Sequence, residues 1–111
     1  MYFKLVLASV GLLCVDVALG GNGAIDCYRC YATDKDPQAT LNCRHFDNIT
    51  KSERCIGYCM FTYGSFTENG VLLGVAQRYC SVFNCEHHQA NDKSIKYCTS
   101  CGSNLCNTDK Y

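Results

Sequence analysis

The sequence predicts a small, disulfide-rich, all-β domain. The chain has only 111 residues, eleven of which are cysteines, and strand-like stretches outnumber helical ones. A chain of this length forms a single domain, and this cysteine content is typical of a disulfide scaffold. Because such a small domain buries little apolar surface, we expect its disulfides to supply much of the stability.

The N-terminus has the pattern of a secretory signal peptide. An apolar run from Leu5 to Val15 follows Lys4, and Ala18-Leu19-Gly20 supplies small residues for cleavage. The run is shorter than the roughly 20 residues that span a bilayer. We therefore expect a signal peptide over residues 1–20 and one domain over residues 21–111. Cleavage also removes Cys14, which leaves an even number of cysteines, as a secreted protein without a reactive thiol requires.

The cysteines fit a disulfide framework better than a zinc or redox site. Cys27-x-x-Cys30 and Cys98-x-x-Cys101 resemble two halves of a zinc ribbon. The gap between them is much longer than a ribbon needs, and a secreted route favours oxidation. A CxxC redox site requires a βαβ context, and no helical period follows Cys30. We expect no metal and no cofactor.

Charge and the C-terminus restrict the possible partners. Ten basic residues balance ten acidic ones, so no basic stripe favours nucleic acid or an acidic membrane surface. After Cys106 only residues 107–111 follow, without the hydrophobic tail of a GPI signal. We expect a soluble monomer without a stable membrane anchor.

The segment between Cys59 and Cys80 predicts a long β-hairpin. Asn69-Gly70 favours a type I′ turn, in which both central residues need positive φ. Paired residue numbers then sum to 139, so that Cys59 faces Cys80. The register places Phe61, Tyr63, Thr67, Leu72 and Arg78 on one face and Met60, Phe66, Val71, Leu73, Val75 and Tyr79 on the other. Outside the hairpin we expect a strand over residues 25–31, a polar loop over residues 33–40 that contains Pro37, and almost no helix.

The order of the cysteines and the closing motif resemble a known family. Cys27-x-x-Cys30, ten cysteines, and Cys101-Gly102-Ser103-Asn104-Leu105-Cys106-Asn107 are similar to the LU domain, the three-finger fold of the lymphocyte antigen and urokinase receptor family. Two residues separate Cys98 from Cys101, where the family usually has adjacent cysteines; this spacing resembles divergent invertebrate members, including the nematode ET modules. The resemblance implies a cysteine-rich hub, three β-hairpin loops, and an Asn107 side chain that supports the hub by hydrogen bonds.

The resemblance also implies a disulfide pairing. Matching cysteines in order gives Cys27–Cys59, Cys30–Cys43, Cys55–Cys80, Cys85–Cys98 and Cys101–Cys106. Cys59 and Cys80 also face each other in the predicted hairpin, so exchange between the first and third pairs stays open at this stage. The fingers would cover roughly residues 31–54, 60–79 and 86–97.

Two short motifs suggest modification or chemistry. Asn48-Ile49-Thr50 is an N-glycosylation sequon. His87-His88 is the one cluster that suggests a catalytic or metal site, but adjacent histidines on a strand point to opposite faces. We expect solvated loop histidines that could make a contact sensitive to pH. No set of nucleophile, base and orienting group is visible, so no catalytic residues are predicted.

The expected function is therefore binding. Tyr63, Phe66, Val71 and Leu72 lie near the predicted hairpin tip, where exposed apolar residues serve as interface anchors; packing between fingers is the alternative. The resemblance implies partners among cell-surface receptors, ligand-gated channels or other secreted proteins. A secreted inhibitor of an extracellular protease or phospholipase is a second hypothesis.

Overall fold

The structure is a computed structural model that describes residues 23–111. The predicted signal peptide and Cys14 lie outside the described residues. The elements in chain order are β1 Ala24–Tyr28, β2 Cys30–Thr33, α1 Pro37–His45, β3 Ser52–Ile56, β4 Tyr58–Glu68, β5 Val71–Ser81, α2 Cys85–Asn91 and β6 Ile95–Cys101.

The strands form two antiparallel sheets. Strands β1 and β3 make a two-stranded sheet, and β2, β5, β4 and β6 make a four-stranded sheet in that order. The extended segment 24–33 therefore changes partners at Arg29: its first half pairs with β3 and its second half with β5. The prediction of a mostly β, disulfide-rich domain is confirmed.

The hairpin register is also confirmed. Strands β4 and β5 pair from Cys59↔Cys80 to Glu68↔Val71, and Asn69 and Gly70 at the turn have φ of 52° and 78°. We call the side that carries Phe61, Tyr63, Ala76 and Arg78 the α1 face, because α1 packs against it next to Ala32 and Ala76. The second face carries Phe66, Leu73, Val75, Gln77 and Tyr79.

Five disulfides join the sheets and helices. They are Cys27–Cys59, Cys30–Cys43, Cys55–Cys80, Cys85–Cys98 and Cys101–Cys106, which are the pairs that the family resemblance implies. Cys59 and Cys80 are opposite each other in the hairpin, yet each bonds to a cysteine of the two-stranded sheet. The small sheet is thus fastened to the base of the hairpin at two points.

The expectation of almost no helix was wrong, and α1 begins inside the segment predicted as a polar loop, residues 33–40. Asp36 caps α1 by accepting a hydrogen bond from the Ala39 amide, and Pro37 occupies the first turn, where its missing N–H costs nothing. Asn84 caps α2 in the same way through the His87 amide. Of the three β-hairpin loops that the resemblance implies, the middle one is present as β4–β5, while the loops over residues 31–54 and 86–97 each contain a helix.

Candidate binding surfaces

The tip of the β4–β5 hairpin exposes apolar side chains. Val71 and Leu72 are 56% and 69% exposed, and they project to opposite faces because they are consecutive in a strand. Phe66 is half-buried on the same face as Val71. Three of the four residues predicted for binding therefore lie at or near the tip.

Tyr63, the fourth predicted residue, packs against other residues. It lies six positions before the turn, half-buried on the α1 face. Its ring centroid is 5.4 Å from that of Tyr111, and the Arg44 guanidinium lies 4.4 Å above the ring. Tyr97 stacks on Tyr111 and also contacts Phe61 edge-on. Tyr63 thus belongs to an aromatic cluster that holds the C-terminal residues on the sheet.

Arg78 is the central buried group of the α1 face. Its side chain is fully buried, and its guanidinium donates hydrogen bonds to the carbonyl oxygens of Cys43, Arg44, Asn107 and Asp109. It also lies 3.8 Å from the ring centroid of Phe61. Two of the acceptors are carbonyls at the C-terminal end of α1, where a cation is favoured by the helix dipole. Burial lowers the pKa of Arg78 to about 10, so it keeps its charge at neutral pH.

Asn107 connects β1 and β4 beside the disulfide Cys27–Cys59. Its amide nitrogen donates to the carbonyl oxygens of Tyr28 and Met60 at 3.0 and 2.9 Å, and its oxygen accepts from the Tyr28 amide at 2.9 Å. The side chain is buried and fully hydrogen-bonded in this way. This arrangement has the structural role that the resemblance implies for Asn107.

The two histidines lie in α2, not on a strand. His87 is exposed and stacks on Phe83 with ring centroids 4.0 Å apart. His88 is half-buried, with Nε2 2.8 Å from the hydroxyl of Ser81. That hydroxyl also accepts a hydrogen bond from the Phe83 amide. The expectation that both histidines are solvated in a loop is therefore wrong for His88, which attaches α2 to the end of β5.

Asn48 is exposed on the loop between α1 and β3. It has a φ of 59°, a left-handed conformation that asparagine tolerates better than most residues. The sequon thus lies on an accessible turn, three residues before Lys51.

A cleft that the sequence did not reveal opens where the chain changes sheets at Arg29. Its volume is about 320 Å³. The shared segment, β5 and the chain around the start of β3 supply its lining, which consists of Arg29, Cys30, Tyr31, Lys51, Glu53, Gln77 and Tyr79. No local pattern could indicate this site, because its walls come together only when β1 and β2 join different sheets.

More exposed apolar side chains lie at the disulfide-linked base of the hairpin, opposite its tip, which we call the hub end. Ile56, Val82 and Phe83 are all exposed. The turn at Gly57 brings Ile56 close to Val82: Gly57 has a φ of 151°, and a Cβ there would collide with the Ser81 carbonyl oxygen. The molecule therefore presents apolar side chains at both ends of its long hairpin.

Residues 23–111 contain neither a membrane-spanning helix nor a cluster of metal-ligating side chains. No helix in this range is long and apolar enough to cross a bilayer. Within the same range, no three side chains of His, Cys, Asp or Glu are grouped as a metal ion would require.

Comparison of the whole chain with protein-family models, curated protein sequences and solved structures gives no significant match in any of the three.

Proposed function

We propose that this chain is a secreted, non-enzymatic binding module, a divergent three-finger domain of the LU type. It would act as a soluble modulator of a cell-surface receptor, channel or other extracellular protein. Five disulfides are typical of proteins that fold in an oxidising compartment. Their order along the chain and the hydrogen bonds of Asn107 at the hub support the family assignment.

The observation that carries the binding proposal is the exposed tip of the hairpin. Each strand of the hairpin has eleven residues, and two disulfides fix its base to the small sheet. A rigid support of this kind lowers the entropy lost when an interface forms. Val71 and Leu72 remain exposed at the end of this support, where a partner would bury both.

The contacts of Ser81 and His88 favour a non-enzymatic role. The Ser81 hydroxyl is engaged by both the His88 ring and the Phe83 amide, so the pair anchors α2. Among the described residues, no side chain hydrogen-bonds the second ring nitrogen of His88 to orient it, as a base in nucleophilic catalysis requires.

The proposed position of a glycan is compatible with binding at the tip. An N-linked glycan on Asn48 would project from the exposed α1–β3 loop. That loop follows the C-terminal end of α1, which packs on the α1 face of the hairpin. The tip is in another place: β2 stops pairing with β5 at Val75, and the tip extends beyond that point. A glycan on Asn48 would therefore direct partners to the hairpin tip.

The experiment compares matched substitutions at the two ends of the hairpin. Tagged, oxidised protein is applied to intact cells and to cell-free secretions of the source tissue. The double substitution Val71→Ser/Leu72→Ser should weaken specific binding at least about tenfold, since anchors of this kind each contribute roughly 2 kcal/mol. The control, Ile56→Ser/Val82→Ser, removes equally exposed residues at the hub end, about 35 Å away for strands of this length.

The outcomes separate the hypotheses. Retained binding in the tip variant, with loss in the hub variant, would refute the role of the tip. Capture of one soluble protease or phospholipase, without specific cell labelling, would contradict the proposed modulator and favour the hypothesis of a secreted inhibitor. Denaturation curves of both variants should match the parent protein, because the replaced side chains are exposed.

A further inference from the structure

The cleft at Arg29 is a preformed cavity between the two sheets. On one side, the Arg29 amide donates to the Lys51 carbonyl oxygen at 2.9 Å and so extends the pairing of β1 with β3 one residue beyond Tyr28↔Ser52. On the other side, Tyr31 pairs with Gln77 of β5. Strands β3 and β5, which pair with the two halves of one continuous segment, diverge at this point. The space between them is the cleft.

Covalent and hydrogen bonds fix the walls of the cleft. The Glu53 carboxylate accepts a hydrogen bond from the Cys80 amide at 2.9 Å, which joins β3 to β5 across the gap. The disulfide Cys55–Cys80 lies beside it, and Cys30–Cys43 secures the lining residue Cys30 to α1. Little ordering is therefore needed when a ligand enters.

The rim of the cleft is cationic. Arg29 and Lys51 are exposed, and the ion pairs among residues 23–111 are formed by Lys35 and Arg54 instead. The single acidic lining residue, Glu53, is already bound to a backbone amide. The lining therefore has two positive charges and one negative charge, and this net positive charge favours an anion.

The remaining lining is aromatic and polar. Tyr31 is 67% exposed, while Tyr79 and Gln77 are half-buried on the second face of the hairpin. Burial raises the pKa of the Tyr79 hydroxyl, so this ring stays neutral beside an anionic ligand. Aromatic rings of this kind pack well against another ring, and the Gln77 amide is a neutral donor next to them.

We propose that the cleft binds an aromatic oxyanion, namely a tyrosine side chain esterified with sulfate or phosphate and carried on a peptide of a partner protein. Arg29 and Lys51 pair with the anionic group, and the ring packs against Tyr31 and Tyr79. The volume is at the lower end of the range for small-molecule pockets, which is about 300–1,000 Å³. A single modified side chain matches this size.

The cleft is separate from the hairpin tip. Gln77 lies six residues from Val71 along β5, which corresponds to about 20 Å in an extended strand. Ligand binding in the cleft is therefore independent of whether the tip binds a partner. Val75 and Leu73 continue the same face of β5 toward the tip, so apolar residues next to the modified tyrosine would extend the contact.

The test measures peptide binding to the oxidised protein. Four probes are compared by fluorescence anisotropy or competition: one short peptide with sulfotyrosine, phosphotyrosine or unmodified tyrosine, and inorganic sulfate alone. We expect at least one modified peptide to bind about tenfold or more tightly than the unmodified peptide, as charge-assisted pairing with Arg and Lys requires. The preferred ester identifies the source, since phosphate carries up to twice the charge of sulfate.

Substitutions assign the binding to the cleft. Arg29→Gln/Lys51→Gln should remove the preference for the modified peptide, and Tyr31→Ala should weaken it several-fold without affecting the fold, because Tyr31 is exposed. The control Lys93→Gln/Lys110→Gln makes the same change in net charge at exposed sites elsewhere. Equal affinity for modified and unmodified peptides would overturn the proposal. Equal loss in the control variant would also do so, since it would show a general charge effect.

Discussion

The two faces of the β4–β5 hairpin belong to the same strands but have different surroundings. On the α1 face, Arg78 is buried beneath α1 and the C-terminal residues, and its guanidinium donates hydrogen bonds to four backbone carbonyls. On the second face, the adjacent residue Gln77 lines an open cleft. Around Gln77 and Arg78, one face is therefore packed against the rest of the domain, whereas the other face is open at the cleft. In a domain this small, alternation along a strand divides structural and binding roles between neighbouring residues.

The largest test of this difference replaces neighbours on opposite faces. Arg78→Met leaves four backbone carbonyls without their donor, two of them in buried hydrogen bonds and two in partly buried ones. It should lower the free energy of unfolding by about 3–5 kcal/mol or prevent secretion. Gln77→Ala should cost less than about 1 kcal/mol, since its surroundings are solvated. Denaturant midpoints of the oxidised proteins measure both changes. Similar losses for the two variants would mean that the faces do not differ in this way.

A smaller effect is expected from the two asparagines near the C-terminus. Asn107→Asp keeps the shape but removes both hydrogen bonds that the amide donates to Tyr28 and Met60, and should cost about 2–4 kcal/mol. Asn104→Ala removes one exposed bond, in which Asn104 accepts from the Asp26 amide, and should cost less than about 1 kcal/mol. A reversed order in denaturant unfolding would contradict the proposed role of Asn107 at the hub.

The smallest effect concerns Tyr79 and pH. Burial raises its pKa in the folded protein above the ordinary value of 10.0, so the folded state retains a proton that the unfolded chain has lost. Below the ordinary pKa the Tyr79 hydroxyl is protonated in both states and does not make stability depend on pH. Above it, the free energy of unfolding falls as pH rises. Unfolding of the parent protein and Tyr79→Phe, compared between neutral pH and pH near 11, should show a smaller alkaline loss in the variant. If the parent protein and Tyr79→Phe lose the same stability at alkaline pH, Tyr79 is not the cause of that loss.

The sequence predicted the parts of the fold that depend on short-range signals. Asn69-Gly70 fixed the hairpin register because the turn geometry admits few residue types. Both helices were missed. The capping pair Asp36-Pro37 is a local signal for α1, but the buried residues of that helix are Thr40 and Cys43, which form no apolar stripe. Helix α2 has seven residues and none is buried, so its disulfide and Ser81 stabilise it more than its sequence does.

The candidate sites also differ in whether a short-range sequence signal reveals them. The tip was predicted because its exposed residues adjoin a recognisable turn. Tyr63 was misplaced because its partners, Arg44 and Tyr111, lie far away in the chain. The burial of Arg78 and the cleft at Arg29 depend on several separate segments that meet only in the folded domain. An arginine in a strand gives no sequence signal that four carbonyls will surround it.

The hydrogen bonds of Arg78 also impose an order on biosynthesis. Two of its acceptors, the carbonyls of Cys43 and Arg44, precede it in the chain, whereas those of Asn107 and Asp109 follow it by 29 and 31 residues. The hairpin and α1 can assemble as the chain emerges, but a buried cation with half of its acceptors is costly. The burial of Arg78 is therefore complete only after residues 107–109 have been made and have docked, and a chain truncated before residue 107 would leave this cation with two of its four acceptors.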